Sequence, residues 1–364
     1  MKKILLVFGT RPEAIKMCPL VSELKSREGI RTAVCVTGQH KEMLNEVLSA
    51  FSVVPDYDLS VMKENQTLFD VTAAVLTQME AVLEKEKPEL VLVHGDTTSA
   101  FSAALACFYK KIPVGHVEAG LRTYDIQSPY PEEFNRRSVT LLSSLHFAPT
   151  EAARSNLLSE GVSPARVFVT GNTAVDALKT TVREDYTHPA LLWAKGTRLL
   201  LFTAHRRESH GAPLRAMLRA ARKAVEQTED VSLLFPMHKS PAVQKAARET
   251  LAGCPRVWLS EPLGVCDFHN LLARSYLVLT DSGGVQEEAA ALSLPTLVMR
   301  EVTERPEGVS AGALSLVGTS EEGIYQALMR LLTDKNAYAR MTKAKNPYGD
   351  GNASRRIADI LEGK

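Results

Sequence analysis

Three carboxylates stand just beyond apolar runs in the first half of the chain. Asp96 follows Leu90–Val93 in His94-Gly95-Asp96-Thr97-Thr98, and Glu118 follows Val114–His116 in His116-Val117-Glu118-Ala119-Gly120-Leu121-Arg122. Glu132 lies in Ser128-Pro129-Tyr130-Pro131-Glu132-Glu133-Phe134-Asn135-Arg136-Arg137, where the prolines fix the approach and a helix is predicted to begin near Pro131. Carboxylates gathered in one buried place perturb one another, so that one acts as base and another as acid near neutral pH. Each also has an ordinary reading. Asp96 can cap the helix after it. Glu132 with Arg136, and Glu133 with Arg137, are spaced as exposed ion pairs. Glu118, between Val117 and Ala119, is harder to explain as a surface charge, and strand alternation puts it on the face of His116.

Cations and glycines recur at the same kind of position. The first apolar run enters Gly9-Thr10-Arg11-Pro12-Glu13-Ala14-Ile15-Lys16, where Arg11 and Lys16 either meet an anion or are solvated helix residues. In the second half, His205 and Arg206 follow one run and His238 follows another, which places cations where phosphates can sit. The strongest signal is Thr280-Asp281-Ser282-Gly283-Gly284-Val285-Gln286-Glu287-Glu288. Glycines leading into a helix let backbone N–H groups and the helix dipole hold phosphate, and Glu288, one turn on, is placed to accept from ribose hydroxyls. Ser282 is equally suited to cap that helix, and Arg305 adds a further cation.

The elements that must position these residues alternate. Strands are predicted at Ile4–Phe8, Thr32–Val36, Leu90–Val93, Val114–His116, His146–Ala148 and Val167–Val169, and again at Leu199–Thr203, Ser232–Phe235, Val257–Leu259, Leu277–Thr280 and Thr296–Val298, with helix-length segments between. That pattern predicts an α/β protein of two Rossmann-like domains with a cleft between them, ligands bound at the carboxyl ends of the strands. The expected domains are 1–172, carrying the carboxylates, and 173–364, with Lys179–Gly196 as the linker region.

Composition narrows the function. A chain of 364 residues suits two domains, and 45% hydrophobic with 23% charged residues is that of a soluble globular protein. A net charge of +1 gives no global attraction to nucleic acid or to an anionic membrane. The five cysteines are scattered without C-x-x-C pairs or zinc-ligand spacing, which predicts reduced thiols in the cytoplasm and no metal. No G-x-G-x-x-G follows a strand, so no nicotinamide cofactor is expected. The run Ile4–Phe8 is broken at Gly9 and reads as a strand, not an export signal, and no apolar stretch approaches the roughly 20 residues of a membrane span.

Taken together, Gly9-Thr10-Arg11-Pro12-Glu13, Gly95-Asp96-Thr97-Thr98, His116–Arg122, Pro131-Glu132-Glu133, His205-Arg206-Arg207-Glu208, Asp281-Ser282-Gly283-Gly284, Thr303-Glu304-Arg305-Pro306-Glu307 and Asn346–Gly351 resemble the non-hydrolysing UDP-N-acetylglucosamine 2-epimerases. The resemblance covers nearly the whole chain. It implies a GT-B-like fold, a UDP-sugar substrate, a homodimer, and a final helix that crosses back to the first domain. It further implies Asp96, Glu118 and Glu132 as acid/base carboxylates and His205 as a diphosphate contact. Arg11, Lys16, Ser282, Gly283, Gly284, Glu288 and Arg305 would contact substrate, with Phe268 beside the uracil. At the family's regulatory site Gln39 matches, but Glu42 and Asn65 replace a glutamine and an arginine, and His210 and Ala313 also depart from the commoner pattern. Three rivals stay open: a glycosyltransferase of the same fold, a non-catalytic nucleotide-sugar sensor, and a hydrolysing relative.

Overall fold

The computed structural model describes residues 1–38, 41–62, 66–206 and 209–363, with the backbone alone for Lys41 and Glu42. Its strands are β1 (Lys2–Phe8), β2 (Ile30–Val36), β3 (Tyr57–Asp58), β4 (Leu90–His94), β5 (Val114–Val117), β6 (Leu145–Ala148), β7 (Val167–Val169), β8 (Arg198–Thr203), β9 (Val231–Pro236), β10 (Val257–Ser260), β11 (Leu277–Thr280), β12 (Thr296–Val298) and β13 (Leu314–Leu316). Between β1 and β7 run α1 (Arg11–Lys25), α2 (Lys41–Ala50), α3 (Leu68–Glu86), α4 (Thr98–Tyr109), α5 (Glu132–Leu142) and α6 (Glu151–Ser159), followed by α7 (Thr173–Thr181) and α8 (Pro189–Trp193). Beyond β8 come α9 (Ala212–Gln227), α10 (Pro241–Leu251), α11 (Val265–Ala273), α12 (Gly283–Ala291), α13 (Pro306–Ser310), α14 (Glu321–Thr333), α15 (Lys335–Thr342) and α16 (Ala353–Glu362).

The chain divides into two compact units, Met1–Thr180 with Gly349–Lys364, and Thr181–Tyr348. In the first, the described strands pair in the order β3-β2-β1-β4-β5-β6-β7, and those of the second in the order β10-β9-β8-β11-β12-β13. Every pairing is parallel. Parallel strands are covered on both faces, which is why Leu5, Val7, Val91 and Val93 in one unit and Leu200, Phe202 and Leu279 in the other are all buried. The predicted strands are all present. Two were not predicted, β3 and β13, edge strands of two and three residues in which Asp58 and Ser315 leave no apolar run.

The order reverses between β1 and β4 in the first unit and between β8 and β11 in the second. At such a switch point the helices leave on opposite faces and open a crevice at the strand ends. The candidate residues cluster at these two places. Within the first unit α16 docks on α1 and α7. Arg27 pairs with Asp359 and Glu362, at 2.9 and 3.1 Å, and Asp176 accepts from the N–H groups of Ala353 and Ser354 at 3.1 and 2.8 Å.

Candidate active site

In the first unit the exits of β1 and β4 are tied by Glu13, which is 2% exposed. Its Oε2 accepts from the N–H groups of Gly9 and Thr10 at 2.9 and 2.7 Å, and its Oε1 from the Thr97 hydroxyl at 2.7 Å. Burial pushes this carboxyl above its ordinary range although those donors pull it back. Thr10 caps α1 in a reciprocal capping box with Glu13, so the same carboxylate starts the helix that carries Arg11 and Lys16. Arg11 is half-buried at the first position of α1.

The cap of α4 is Thr97, whose hydroxyl accepts from Ala100 N at 3.0 Å. Asp96 is therefore not spent on capping. Its Oδ2 lies 2.5 Å from Arg136 Nη2, and its carbonyl accepts from Asn135 Nδ2 at 3.0 Å. Arg136 also reaches Glu133 at 3.3 Å, while Glu133, fully buried, accepts from the N–H groups of Thr123 and Tyr124. The α5 segment is thus bound into the unit through Glu133 rather than as an exposed pair with Arg137. Glu132, half-buried, is the first residue of α5, at the positive end of its dipole. The peptide bonds before Pro129 and Pro131 are cis.

Glu118 does not continue the alternation of β5. The strand ends at Val117 and Glu118 takes φ +62°, a left-handed conformation that costs a non-glycine residue on the order of 1 kcal/mol and is commonest where function demands it. The turn aims its carboxylate at Lys16 Nζ, with Asn172 Nδ2 donating at 2.7 Å, and His94 Nε2 stands 3.7 Å away. Lys16 is 6% exposed, so its charge is placed by Glu118 and not by solvent. His116 instead faces inward. Its Nε2 bonds the Gly95 carbonyl at 2.8 Å, which makes Nε2 the protonated nitrogen, and Gly95 itself has φ +61°, a conformation glycine adopts freely. His116 pairs across the sheet with His146. Burial, with His146 nearby, drops His116 to about 3, and burial, with Arg122 and Arg166 nearby, drops His146 to about 4, so both stay neutral.

In the second unit His205 and Arg206 leave β8 beside Asp281 and Ser282, which leave β11. Ser282 holds the N-cap position of α12 without a side-chain cap bond, and its N–H donates to Thr280 Oγ1 at 2.9 Å. A Cβ on Gly283 would stand 2.5 Å from Arg305 Nη1, so this glycine makes room for the guanidinium against the helix end. Arg305 binds Glu287 at 2.7 Å and Glu304 at 2.9 Å, and Glu304 also takes Arg300 at 2.7 Å and Arg206 at 3.0 Å. Against the cost of burial, the three guanidinium groups hold the Glu304 carboxyl far below the carboxylate range. Glu288, 6% exposed, lies 3.5 Å from His269, whose other ring nitrogen meets the Thr181 hydroxyl at 2.7 Å. Phe268 is partly buried on α11, and His238, exposed beyond β9, has its ring 6.0 Å from that of His205. Gly284 is half-buried in the first turn of α12.

The structure thus gathers Lys16, Glu118 and Asp96 around strand ends of one unit, with Glu132 opening the helix whose Arg136 meets Asp96, and His205, Arg206, Ser282, Gly283 and Arg305 around strand ends of the other. Gln39 and Asn65 lie outside the described residues, as does the side chain of Glu42. Arg136, Asn172, Glu13, Asp281 and Glu304 were not singled out from sequence. Only Arg136 carried a signal, its spacing from Glu132, which said nothing of Asp96 or Glu133.

Two doubly wound parallel units, each with charged side chains massed at its switch point and a glycine-led helix opening one of them, define a tandem α/β protein of the nucleotide-binding kind. The family model of UDP-N-acetylglucosamine 2-epimerase matches residues 22–362. A UDP-N-acetylglucosamine 2-epimerase of Bacillus subtilis is 54% identical over 359 residues, 99% of this chain and 94% of that protein. The Staphylococcus aureus MnaA–UDP co-structure is 50% identical with a TM-score of 0.95, covering 100% of this chain and 96% of that one. The UDP-GlcNAc 2-epimerase of Neisseria meningitidis, solved bound to UDP-GlcNAc, is 44% identical with a TM-score of 0.94 and full coverage of both chains. The chain belongs to the UDP-N-acetylglucosamine 2-epimerase family, and its two parallel sheets bear out the expected GT-B-like fold class.

Proposed function

We propose that the protein reversibly inverts carbon 2 of UDP-N-acetylglucosamine, giving UDP-N-acetylmannosamine, by anti elimination of UDP and its re-addition. The observation that carries this reading is the arrangement at the first switch point, where Asp96 and Glu118 leave neighbouring strands and each meets a buried cation, Arg136 or Lys16. The C2 hydrogen has no adjacent carbonyl, so a carboxylate removes it only if the anomeric C–O bond breaks with it. The electron pair of the C2–H bond then forms the C1–C2 double bond of neutral 2-acetamidoglucal, and the C1–O pair leaves with UDP. Return of the proton to the other face with re-addition of UDP gives the epimer. Asp96, Glu118 and Glu132 serve as acid and base.

The second unit supplies the groups for the nucleotide in this reading. The N–H groups of Gly283 and Gly284 with the α12 dipole, Ser282, His205, Arg206, His238 and Arg305 suit the diphosphate, joined by Arg11 and Lys16 of the first unit, with Glu288 for the ribose and Phe268 for the base. Relatives solved with UDP and with UDP-GlcNAc support it. In D2O, with UDP-N-acetylglucosamine as the only substrate, NMR is expected to find deuterium at C2 of both epimers. Accumulation of free UDP and N-acetylmannosamine would identify a hydrolase. An inert sugar until an acceptor is added would identify a transferase, and no turnover with binding intact a sensor.

A homodimer belongs to the same reading. Phe108 and Tyr109 at the end of α4 and Leu141 near the end of α5 are 58–87% exposed on helices that pack side by side, an apolar surface a monomer seldom leaves open. Light scattering is expected to give twice 39.9 kDa; a single-copy mass at micromolar concentration would dismiss the dimer. A cytoplasmic setting is supported by the free cysteines, of which Cys18, Cys35, Cys107 and Cys254 are buried thiols. Among the described residues no helix is long and apolar enough to cross a membrane.

A further inference from the structure

Asp281, the residue after β11, has no exposed surface. Its carboxylate faces the turn after β8 and collects donors from it: His205 N at 3.0 Å, Arg206 N at 3.0 Å and Ser209 Oγ at 2.9 Å. The Nδ1 of His205 stands 3.3 Å from Asp281 Oδ1, while 43% of the His205 side chain is exposed. A carboxylate with no contact to water costs several kcal/mol unless its oxygens are fully engaged. Burial pushes this one up, and the His205 ring, the Arg206 N–H and Ser209 outweigh that and hold it below the usual range. Asp281 is thus an anion whose partners are one short turn and one imidazole.

We propose that Asp281 is the positioning residue of His205: it holds Nδ1–H of the ring against its buried carboxylate and turns Nε2 outward, toward the diphosphate. The diphosphate half of this statement rests on the proposed function; the orientation of the ring does not. A ring whose Nδ1 already carries a proton can donate from Nε2 to a phosphate oxygen only as the imidazolium, and the negative charge at 3.3 Å balances that cation. Asp281 also stands directly before Ser282 and Gly283, so the residue that holds the imidazole is the one from which the chain enters the glycine-led helix. The switch point between β8 and β11 is what makes that sharing possible, since the two strands are neighbours in the sheet and their exits lie side by side.

The alternative is that Asp281 only pins the turn. The two differ in the ring. In Asp281→Asn the amide oxygen can keep the backbone donors while its NH2 faces Nδ1, so the neutral imidazole is expected to switch to the Nε2–H tautomer. Nitrogen-15 NMR of histidine-labelled protein, with the His205 signals assigned by their loss in His205→Gln, reads this directly. We expect Nδ1–H in the wild type, Nε2–H in Asp281→Asn, and both nitrogens protonated in the wild type with UDP. Turnover in Asp281→Asn is expected to fall by about 10²-fold or more, with UDP affinity within about fivefold. Ser209→Ala, which removes one bond to Asp281 but leaves the ring contact, is expected to keep the wild-type tautomer and turnover within about threefold. An Nε2–H ring in the ligand-free wild type, measurable even if the variant does not fold, overturns the proposal. So does an unchanged tautomer with near-normal turnover in Asp281→Asn. Failure of the wild type to bind UDP or form epimer removes the proposed function and the diphosphate half, and leaves the ring orientation to be decided by the ligand-free spectrum.

Discussion

Replacing Asp96 by Asn is expected to lower epimerisation by about 10³-fold while UDP affinity stays within about threefold. The substitution is close to isosteric, and the amide oxygen can still accept from Arg136, so the bond that fixes the α5 segment at 2.5 Å survives in weakened form. The cap of α4 is untouched, because Thr97 and not Asp96 provides it. What is lost is the ability to take or give a proton. Apart from Arg11 and Lys16, the groups proposed for the nucleotide lie on the other unit, and none shares a hydrogen bond with Asp96. Steady-state kinetics paired with calorimetric titration of UDP decide the matter. Loss of UDP binding in a folded variant would show that the two units do not divide the work in this way, and turnover above a tenth of normal would remove Asp96 from the chemistry.

The second large effect concerns stability in acid. Glu304 is the common partner of Arg206, Arg300 and Arg305, and is 8% exposed. Glu304→Ala leaves guanidinium groups facing one another in a poorly hydrated place, a change that costs about 3–5 kcal/mol. The thermal midpoint is expected to fall by roughly 10 °C. A drop under 2 °C would mean that water or another anion replaces the carboxylate. The pH dependence follows from the same network. Glu304 and Asp281 have folded pKa values below their unfolded ones, so their contribution is fully present above about pH 4.5 and is lost as pH falls through the folded values. His116 and His146 act at higher pH. They are depressed to about 3 and about 4, so the unfolded chain takes up protons first, and stability declines once pH drops below about 6.5. Each contributes on the order of 1 kcal/mol per pH unit. Urea titrations between pH 7.5 and 4.5 are expected to show this decline, and His116→Gln, whose amide can still reach the Gly95 carbonyl, to flatten it. A flat wild-type profile would mean that the histidines are not buried in their neutral form.

Much of the fold is legible in the sequence because parallel strands buried on both faces appear as uninterrupted apolar runs, and the residues after them are where ligands are met. That reasoning finds Asp96, Glu118, His205 and the Ser282–Gly284 turn without reference to any relative. It does not find what holds them. Arg136 reads as a partner for Glu132 by helical spacing, but which side chain it meets depends on β4 and the α5 segment lying together, a long-range fact. Glu118 reads as the next residue of a strand, and nothing in Val117-Glu118-Ala119 announces a left-handed turn that redirects its carboxylate to Lys16. Gly283 reads as a place for a ligand's close approach, and nothing in the sequence tells that a Cβ there would also meet Arg305. Asp281 and Glu304 stand among louder neighbours, and their roles emerge only when β8, β11 and the segment after β12 are seen side by side.

The docking of α16 on α1 and α7 has a consequence for how the molecule is made. Counted along the polypeptide, Thr181–Tyr348 is an insertion inside the first unit, whose closing helix is translated after the whole of the inserted one. On the ribosome the second unit therefore has all its parts while the first still lacks the segment that covers Arg27 and Asp176. The nascent first unit waits with α1 and α7 uncovered on that side, the situation in which chaperones engage a chain. Proteolytic nicking before Gly349 would likewise injure the unit at the opposite end of the sequence from the cut.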